Sequence, residues 1–272
     1  MIVQTAPEGE QHFVIKMTEH TEFAGLLARA FGNDKFEPLH PNDEMLYVID
    51  HHDQGWVELD AAPKRDSATG LPWHLIDAPQ DHFLQSGVGS PDFNEAHHAF
   101  CGLISSMHTW GLYNRRYGIS DKVLLDDVPG DYRRQFEDML DGQLARQARL
   151  KAKLAENDET AAWIEDDRLF QSYKQLQFFD TVALYFHCTH AADRGPAGFP
   201  HVPMAPAKDV TVHVEPIDTH TYCFDPYPFR EEGLYLAFEG RYMGAVHGDD
   251  DQLAAAMAAA PTDVQTVQFV AK

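Results

Sequence analysis

The hydrophobic positions follow a helical period over much of the first 190 residues. Apolar side chains recur every three or four residues, and polar or charged residues fill the positions between them. Segments of this kind cover residues 18–32, 42–55, 95–112, 131–156 and 161–190. The pattern therefore predicts a body built from amphipathic helices.

Alternating apolar and polar residues predict strands at both ends of the chain. Two short strands at 2–5 and 12–17 flank a turn, and three more are predicted after a connection rich in Gly and Pro. The later strands are Val210–Val214, Leu234–Phe238 and Val264–Phe269. We expect one small sheet from the N-terminal and C-terminal strands, and hence a mainly α fold.

The same pattern predicts how the chain is divided. Residues 1–190 form the helical body with its N-terminal hairpin, and 191–207 form the Gly/Pro-rich connection. Residues 208–272 form a strand-rich segment that packs on the same body.

Charge and cysteine content narrow the classes of function. A net charge of −22 over 272 residues argues against nucleic acids and anionic membranes as partners, and leaves a small molecule as the expected substrate. The three cysteines are far apart and form no paired motif, which is typical of a cytoplasmic protein. Charged residues near the N-terminus argue against a signal peptide.

The segment Asp50–Trp56, with the sequence DHHDQGW, contains the most informative polar residues. At about 100° per residue, His52 shares a stripe with Ile49 and Trp56, while His51 points about 120° away. A buried imidazole beside the carboxylate of Asp53 needs a partner. Either a metal ion or a structural His–Asp hydrogen bond would supply one.

Other titratable residues are candidates for the interior. His20 lies on the apolar stripe of the first helix, His108 on that of the helix at 95–112, and Asp180 among phenylalanines of the helix at 161–190. We favour His108 over His97, because the eleven residues between them rise about 16 Å and cannot reach one metal centre. His82 follows a long loop, and no clear buried face surrounds it.

In chain order these residues read H…HD…H…H…D, which resembles the HD-domain superfamily of metal-dependent enzymes. The string His52-Asp53-Gln54-Gly55 matches the HD-x-G signature of that superfamily. The chain looks most similar to an uncharacterised bacterial HD-like family with an HHDxGW motif. The other strings that carry this likeness are Thr18-Glu19-His20, Ser106-Met107-His108 and Asp225-Pro226-Tyr227-Pro228-Phe229.

The resemblance implies a dinuclear site with six ligands: His20, His52, Asp53, His82, His108 and Asp180. Asp53 would bridge two divalent ions, iron or manganese, with zinc or magnesium as alternatives. If His82 is not a ligand, a mononuclear site is expected. The Gly-Tyr-Pro string of the cyclic-dinucleotide enzymes is absent, so that substrate class is not expected.

Three functions follow from this resemblance. The first is a phosphohydrolase for a small phosphorylated metabolite or nucleotide, with Asp53 as the catalytic residue and with Arg115, Arg116 and Lys174 as phosphate contacts. The second is a mixed-valent di-iron oxygenase of the myo-inositol oxygenase or phosphonate oxygenase type. The third is a non-catalytic HD-like binding module.

Overall fold

Helices account for 51% of the residues in a computed structural model of the chain, which describes residues 1–272. None of these helices combines the length and apolar composition needed to cross a membrane. The helices are α1 (Met17–Ala30), α2 (Asn42–Asp50), α3 (Val57–Ala61), α4 (Gln80–His97), α5 (Ala99–Tyr113), α6 (Arg133–Leu154), α7 (Asp158–Trp163), α8 (Asp166–Cys188) and α9 (Asp250–Ala259).

The strands form one sheet in the order β1-β2-β6-β7-β5-β4-β3. All neighbours are antiparallel except β5 and β7, which are parallel. The strands are β1 (Ile2–Val3), β2 (His12–Ile15), β3 (Ala197–Ala205), β4 (Lys208–Pro216), β5 (Thr221–Asp225), β6 (Leu234–Met243) and β7 (Asp263–Ala271).

The prediction of a mainly α fold with a small sheet is wrong, because the sheet has seven strands. Two strands escaped the sequence reasoning. β3 lies inside the predicted connection at 191–207 and contains Pro200 and Pro203. Proline is tolerated there because β3 is an edge strand. β5 has only five residues and ends next to a proline, so its alternation was too short to detect.

Helices α1 and α8 pack on the sheet through aromatic side chains. The rings of Phe23 and Phe238 are 5.2 Å apart, and those of Phe186 and Phe269 are 5.3 Å apart. A hydrophobic core of 42 buried residues joins the helices to all seven strands. The sheet is therefore part of the same folded body and supports the helices from behind.

Helix α4 runs through the segment 87–91, although the glycines and the proline there are typical of a helix break. Pro91 cannot donate to the carbonyl of Gly87, four residues earlier, and Gln143 Nε2 donates to that carbonyl instead, at 3.1 Å. The break comes at His98, which caps α5 by accepting a hydrogen bond from the backbone N–H of Phe100, at 3.2 Å. Tertiary contacts therefore decide where α4 ends.

Candidate metal centre

The HD motif lies in a turn after a helix, not within one. Helix α2 ends at Asp50 and not near Gly55 as predicted, and a turn at 51–53 leads into a short 3-10 segment. The predicted sidedness nevertheless holds, since His52 is only 1% exposed. His51 is directed away, where its Nδ1–H donates to the carbonyl of Tyr47 at 2.8 Å.

Gly55 brings this turn directly against α4. A Cβ atom on Gly55 would lie 2.7 Å from the Cα of Ser86, closer than real contacts allow. Its N–H donates to Ser90 Oγ at 2.9 Å. The glycine of the motif is thus explained by close packing, and that packing fixes where His52 and Asp53 lie.

Five of the six predicted ligands come together. His20 Nε2 lies 3.3 Å from Asp180 Oδ1, and His52 Nε2 lies 3.6 Å from Asp53 Oδ2 and 3.7 Å from Asp180 Oδ1. Two overlapping triads each have potential ligand atoms within 4.8 Å of one another: His20, His52 and Asp180, and His52, Asp53 and His108. We call these five residues the HD cluster.

Hydrogen bonds outside the cluster orient two of its imidazole rings. His52 Nδ1–H donates to the carbonyl of Ile49 at 2.8 Å, and the Nδ1 atoms of His20 and His187 are 3.1 Å apart. Burial lowers the pKa of His187 well below its usual value, so His187 is neutral. With His20 donating to it, Nε2 is the nitrogen of His20 that would bind a cation, and the hydrogen bond to Ile49 leaves Nε2 of His52 in the same position.

His108 is oriented by Gln177, whose side-chain amide lies 2.7 Å from its Nδ1. Burial lowers the pKa of His108 to about 4, so this ring is also neutral at physiological pH. As a ligand through Nε2, His108 would carry its proton on Nδ1. The amide of Gln177, whose Nε2 faces Nδ1 in the structure, would then flip so that Oε1 accepts a hydrogen bond from Nδ1–H.

The charges of the cluster fit a cation. Burial alone would lower the pKa of His52, but the carboxylates of Asp53 and Asp180 outweigh it and raise the pKa to about 9. Burial alone would raise the pKa of Asp180, but its contacts with His20 and His52 hold the pKa well below its usual value. His52 Nε2 is nevertheless buried without a hydrogen bond, and two carboxylates face it. A divalent ion would satisfy this nitrogen and both carboxylates.

His52 belongs to both triads, which bears on the number of ions. An imidazole nitrogen has one lone pair and coordinates one ion, so the triads cannot each hold an ion through His52 Nε2. Only the carboxylates of Asp53 and Asp180 could be shared. Either triad alone could hold one ion.

The structure does not bring His82 to the cluster. This residue lies in the first turn of α4 and lines a small second cavity with Met1, Trp56 and Trp73. Trp56 lines both this cavity and the large cavity beside the cluster. Gln80 and Phe83 of the same turn line the large cavity, whereas His82 lines only the small one.

Two of the three predicted phosphate contacts also lie elsewhere. Lys174 is buried in an ion pair with Asp209 of β4, with distances of 2.6 and 2.7 Å to the two carboxylate oxygens. Arg115 is exposed and pairs with Asp121 at 3.2 Å. Neither Lys174 nor Arg115 lines the large cavity beside the cluster.

Arg116 alone of the three lines the large cavity, which has a volume of about 550 Å³ and also borders Asp53, His108 and Asp180. No hydrogen bond or ion pair links the guanidinium of Arg116 to another residue, in contrast to Arg115. Arg116 therefore provides an unpaired cation beside the HD cluster.

A strained turn carries Arg116. Arg115, Arg116 and Tyr117 have φ angles of 55°, 46° and 57°, in the left-handed region that costs roughly 1–3 kcal/mol per residue. Tyr117 holds the turn, because its hydroxyl donates to Gln147 Oε1 at 3.0 Å and its ring packs 4.7 Å from that of Trp110. Strain of this kind is found preferentially at functional sites.

Residues 1–244 match the model of a family described as a protein of unknown function, DUF3891. The chain belongs to this family. No curated protein and no solved structure matches the chain. The match covers the whole HD cluster, the large cavity and the strands β1 to β6, so the site lies entirely within the family region.

Two residues that contact the HD cluster, Gln177 and His187, were not predicted from the sequence. Both lie on α8 with Asp180, three residues before it and seven residues after it. Such spacings place all three side chains on one side of a helix. The spacing along α8 therefore indicated that Gln177 and His187 lie on the same side as Asp180. It did not indicate that they contact His108 and His20.

Proposed function

We propose that the chain is a metal-dependent phosphohydrolase of the HD type, acting on a small phosphorylated metabolite. The observation that carries the proposal is the meeting of five HD-type ligands beside a cavity that also contains an unpaired arginine. An anion-binding group next to a cation site is what phosphoryl transfer requires.

His20, His52 and Asp180 would hold one divalent ion, with Asp53 and His108 beside it. Imidazole and carboxylate donors suit iron or manganese, and zinc or magnesium are alternatives. When bound, the ion would lower the pKa of a water molecule and polarise a phosphoryl oxygen. The proposal takes one ion as the minimum, because the second expected ion would lack His82.

The chain's own residues supply binding and orientation. Arg116 would hold the phosphate by charge-assisted hydrogen bonds. Asp53 is part of the cluster and also borders the cavity, with its side chain 16% exposed, so its carboxylate can orient a water molecule towards phosphorus. The three free thiols agree with a cytoplasmic setting, which we propose for this activity.

The oxygenase hypothesis requires two irons. The position of His82 beside the second cavity removes one of the expected ligands of the second ion, and this favours hydrolysis. Elemental analysis of anaerobically purified protein separates the two enzymes. If the protein contains two irons and its turnover depends on dioxygen, the phosphohydrolase proposal is wrong and the oxygenase hypothesis takes its place.

The direct test is phosphate release from a phosphomonoester panel under strict anaerobiosis. Arg116→Gln should lower kcat/KM by about 100-fold, since a charged contact to the transferred group is lost. Arg115→Gln is the matched control and should retain the activity of the unaltered protein, because Arg115 pairs with Asp121.

Asp53→Asn tests both enzymatic functions, because it keeps the size of the side chain and removes its charge. Metal content and activity should fall while the fold is retained. Full activity in this variant would contradict both enzymatic hypotheses and leave the binding module.

A further inference from the structure

The walls of the large cavity are mainly apolar. Asp53, His108 and Asp180 connect it to the cluster, whereas other parts of the lining come from the 3-10 turn Leu75–Asp77, α4, α5 and the 3-10 turn Leu124–Asp127. Apolar side chains in these elements include Leu75, Ile76, Phe83, Leu112, Leu124 and Val128. A surface of this kind gains free energy by covering an apolar ligand.

Ile76 is an unusual member of this lining because it is 69% exposed. It lies in the turn Leu75–Asp77, and its side chain remains in contact with water despite lining the cavity. A ligand that extends from the cluster past Ile76 would remove this apolar surface from water.

The three serines of the lining are engaged within the protein. Ser90 Oγ accepts from the N–H of Gly55, Ser86 Oγ donates to the carbonyl of Phe83, and Ser120 Oγ accepts from the N–H of Lys122. The side chains of Gln80, Thr109 and Tyr113 make no hydrogen bond. Three such side chains could pair only some of the many polar groups of a sugar or a base, and the rest would remain unpaired.

The charges of the lining limit the number of phosphates. Three carboxylates (Asp53, Asp127 and Asp180) oppose two basic groups (Arg116 and Lys122), so the cavity is anionic until a cation is bound. One divalent ion would make the lining positive by a single charge. One phosphomonoester group, with a charge of about −1.5 to −2 at pH 7, exceeds this charge only slightly, whereas a polyphosphate would exceed it by more.

We infer that the substrate is an amphiphilic phosphomonoester, with one phosphate at the Arg116 and cluster end and a compact alkyl or aryl body along the apolar walls. The inference rests on the proposed function, since that function assigns the phosphate to Arg116 and the cluster. A volume of about 550 Å³ is within the range of roughly 300–1,000 Å³ for ligand pockets.

The experiment measures binding and does not depend on turnover. Isothermal titration calorimetry on metal-loaded protein compares ethyl, butyl, hexyl and octyl phosphonate, whose C–P bond resists phosphomonoester hydrolysis. Affinity should rise about threefold to fourfold per methylene until the cavity is filled. Glucose 6-phosphate and a nucleoside monophosphate should bind more weakly than octyl phosphonate.

Two substitutions locate the binding mode. Ile76→Asn should reduce the dependence on chain length, and the fold should be retained because Ile76 is exposed and lies outside the core. Ile217→Asn is the matched control, because Ile217 is 62% exposed and does not line the cavity. Arg116→Gln should weaken all four phosphonates by a similar factor.

The outcomes separate this inference from the proposed function. Affinity that does not change with chain length, or tighter binding of the sugar phosphate, overturns the amphiphilic substrate even if phosphate release is found. Chain-length dependence without release from the corresponding alkyl phosphates supports the amphiphilic ligand and overturns the phosphohydrolase.

Discussion

The two sides of the HD cluster differ in how closely their side chains are packed. On the side of the sheet, His20 contacts both Asp180 and His187, and the ring of His187 lies 4.4 Å from that of Phe238 in β6. On the side of the large cavity, Arg116 has no partner and Ile76 is exposed to water. The first side is packed and fixed, and the second is open.

This difference assigns a role to each side. A cation site needs ligands held in place by neighbours, which the core between α1, α8 and the sheet provides. A substrate site needs groups that are not yet engaged. The sheet therefore contributes to the proposed metal centre through Phe238 and His187, although it supplies none of the ligands.

The largest expected effect comes from comparing two adjacent histidines. His52→Ala should remove the bound ion, because His52 Nε2 faces Asp53 and Asp180. His51→Ala should retain the ion, because the His51 ring is directed to Tyr47. Metal analysis of both purified variants measures the effect. Equal losses would contradict the orientation of the turn.

The pH dependence of metal binding tests the charge of the packed side. Without metal, His52 has a pKa raised to about 9, so at pH 7 an incoming ion must displace its proton. Affinity should then rise about tenfold per pH unit and level off above about pH 9.

The same shift affects the stability of the metal-free protein. A raised pKa stabilises the folded state fully below the unfolded value of about 6.5. This contribution is lost as the pH rises through about 9. Calorimetry of metal binding in buffers of different ionisation enthalpy counts the proton that the ion displaces from His52. Metal affinity that is constant between pH 6 and 8 would contradict the raised pKa of His52.

The contact of His187 with His20 predicts a smaller effect. His187→Phe keeps a planar ring between Phe23 and Phe238 but removes the acceptor for His20 Nδ1. We expect metal affinity to fall by about 10–100-fold, as for other residues that orient ligands. His190→Phe is the control, since His190 lies beyond the end of α8 and does not contact the cluster. Equal affinity in the two variants would show that His187 only fills space.

The packed side could largely be predicted from the sequence, because helical periodicity records which residues face the core. That periodicity selected His20, His108 and Asp180, and the structure brings them together. The sidedness of His51 and His52 was also correct, although the helix ends at Asp50. Partners such as His187 were missed because periodicity gives a direction and no distance.

The open side could not be predicted in the same way. Its groups lie on turns, such as the left-handed turn at Arg116, where no periodic pattern exists. Nothing in the sequence distinguished Arg116 from Arg115, since ion pairing with Asp121 depends on the tertiary fold. The extent of the sheet was missed for a related reason, because β3 pairs with β4 despite two prolines.

The smallest expected effect concerns His82, where the resemblance and the structure differ. His82→Ala should leave metal content and affinity unchanged, because His82 lies beside Trp56 and Trp73 in the second cavity, away from the HD cluster. Burial lowers the pKa of His82, so at pH 7 the ring is neutral and its removal uncovers no charge. The metal content of His82→Ala is compared with that of His108→Ala. Because His108 belongs to the cluster, its loss should weaken metal binding. Loss of one of two ions in His82→Ala would show that α4 moves its first turn to the cluster on metal binding, and would restore the dinuclear site that the resemblance implies.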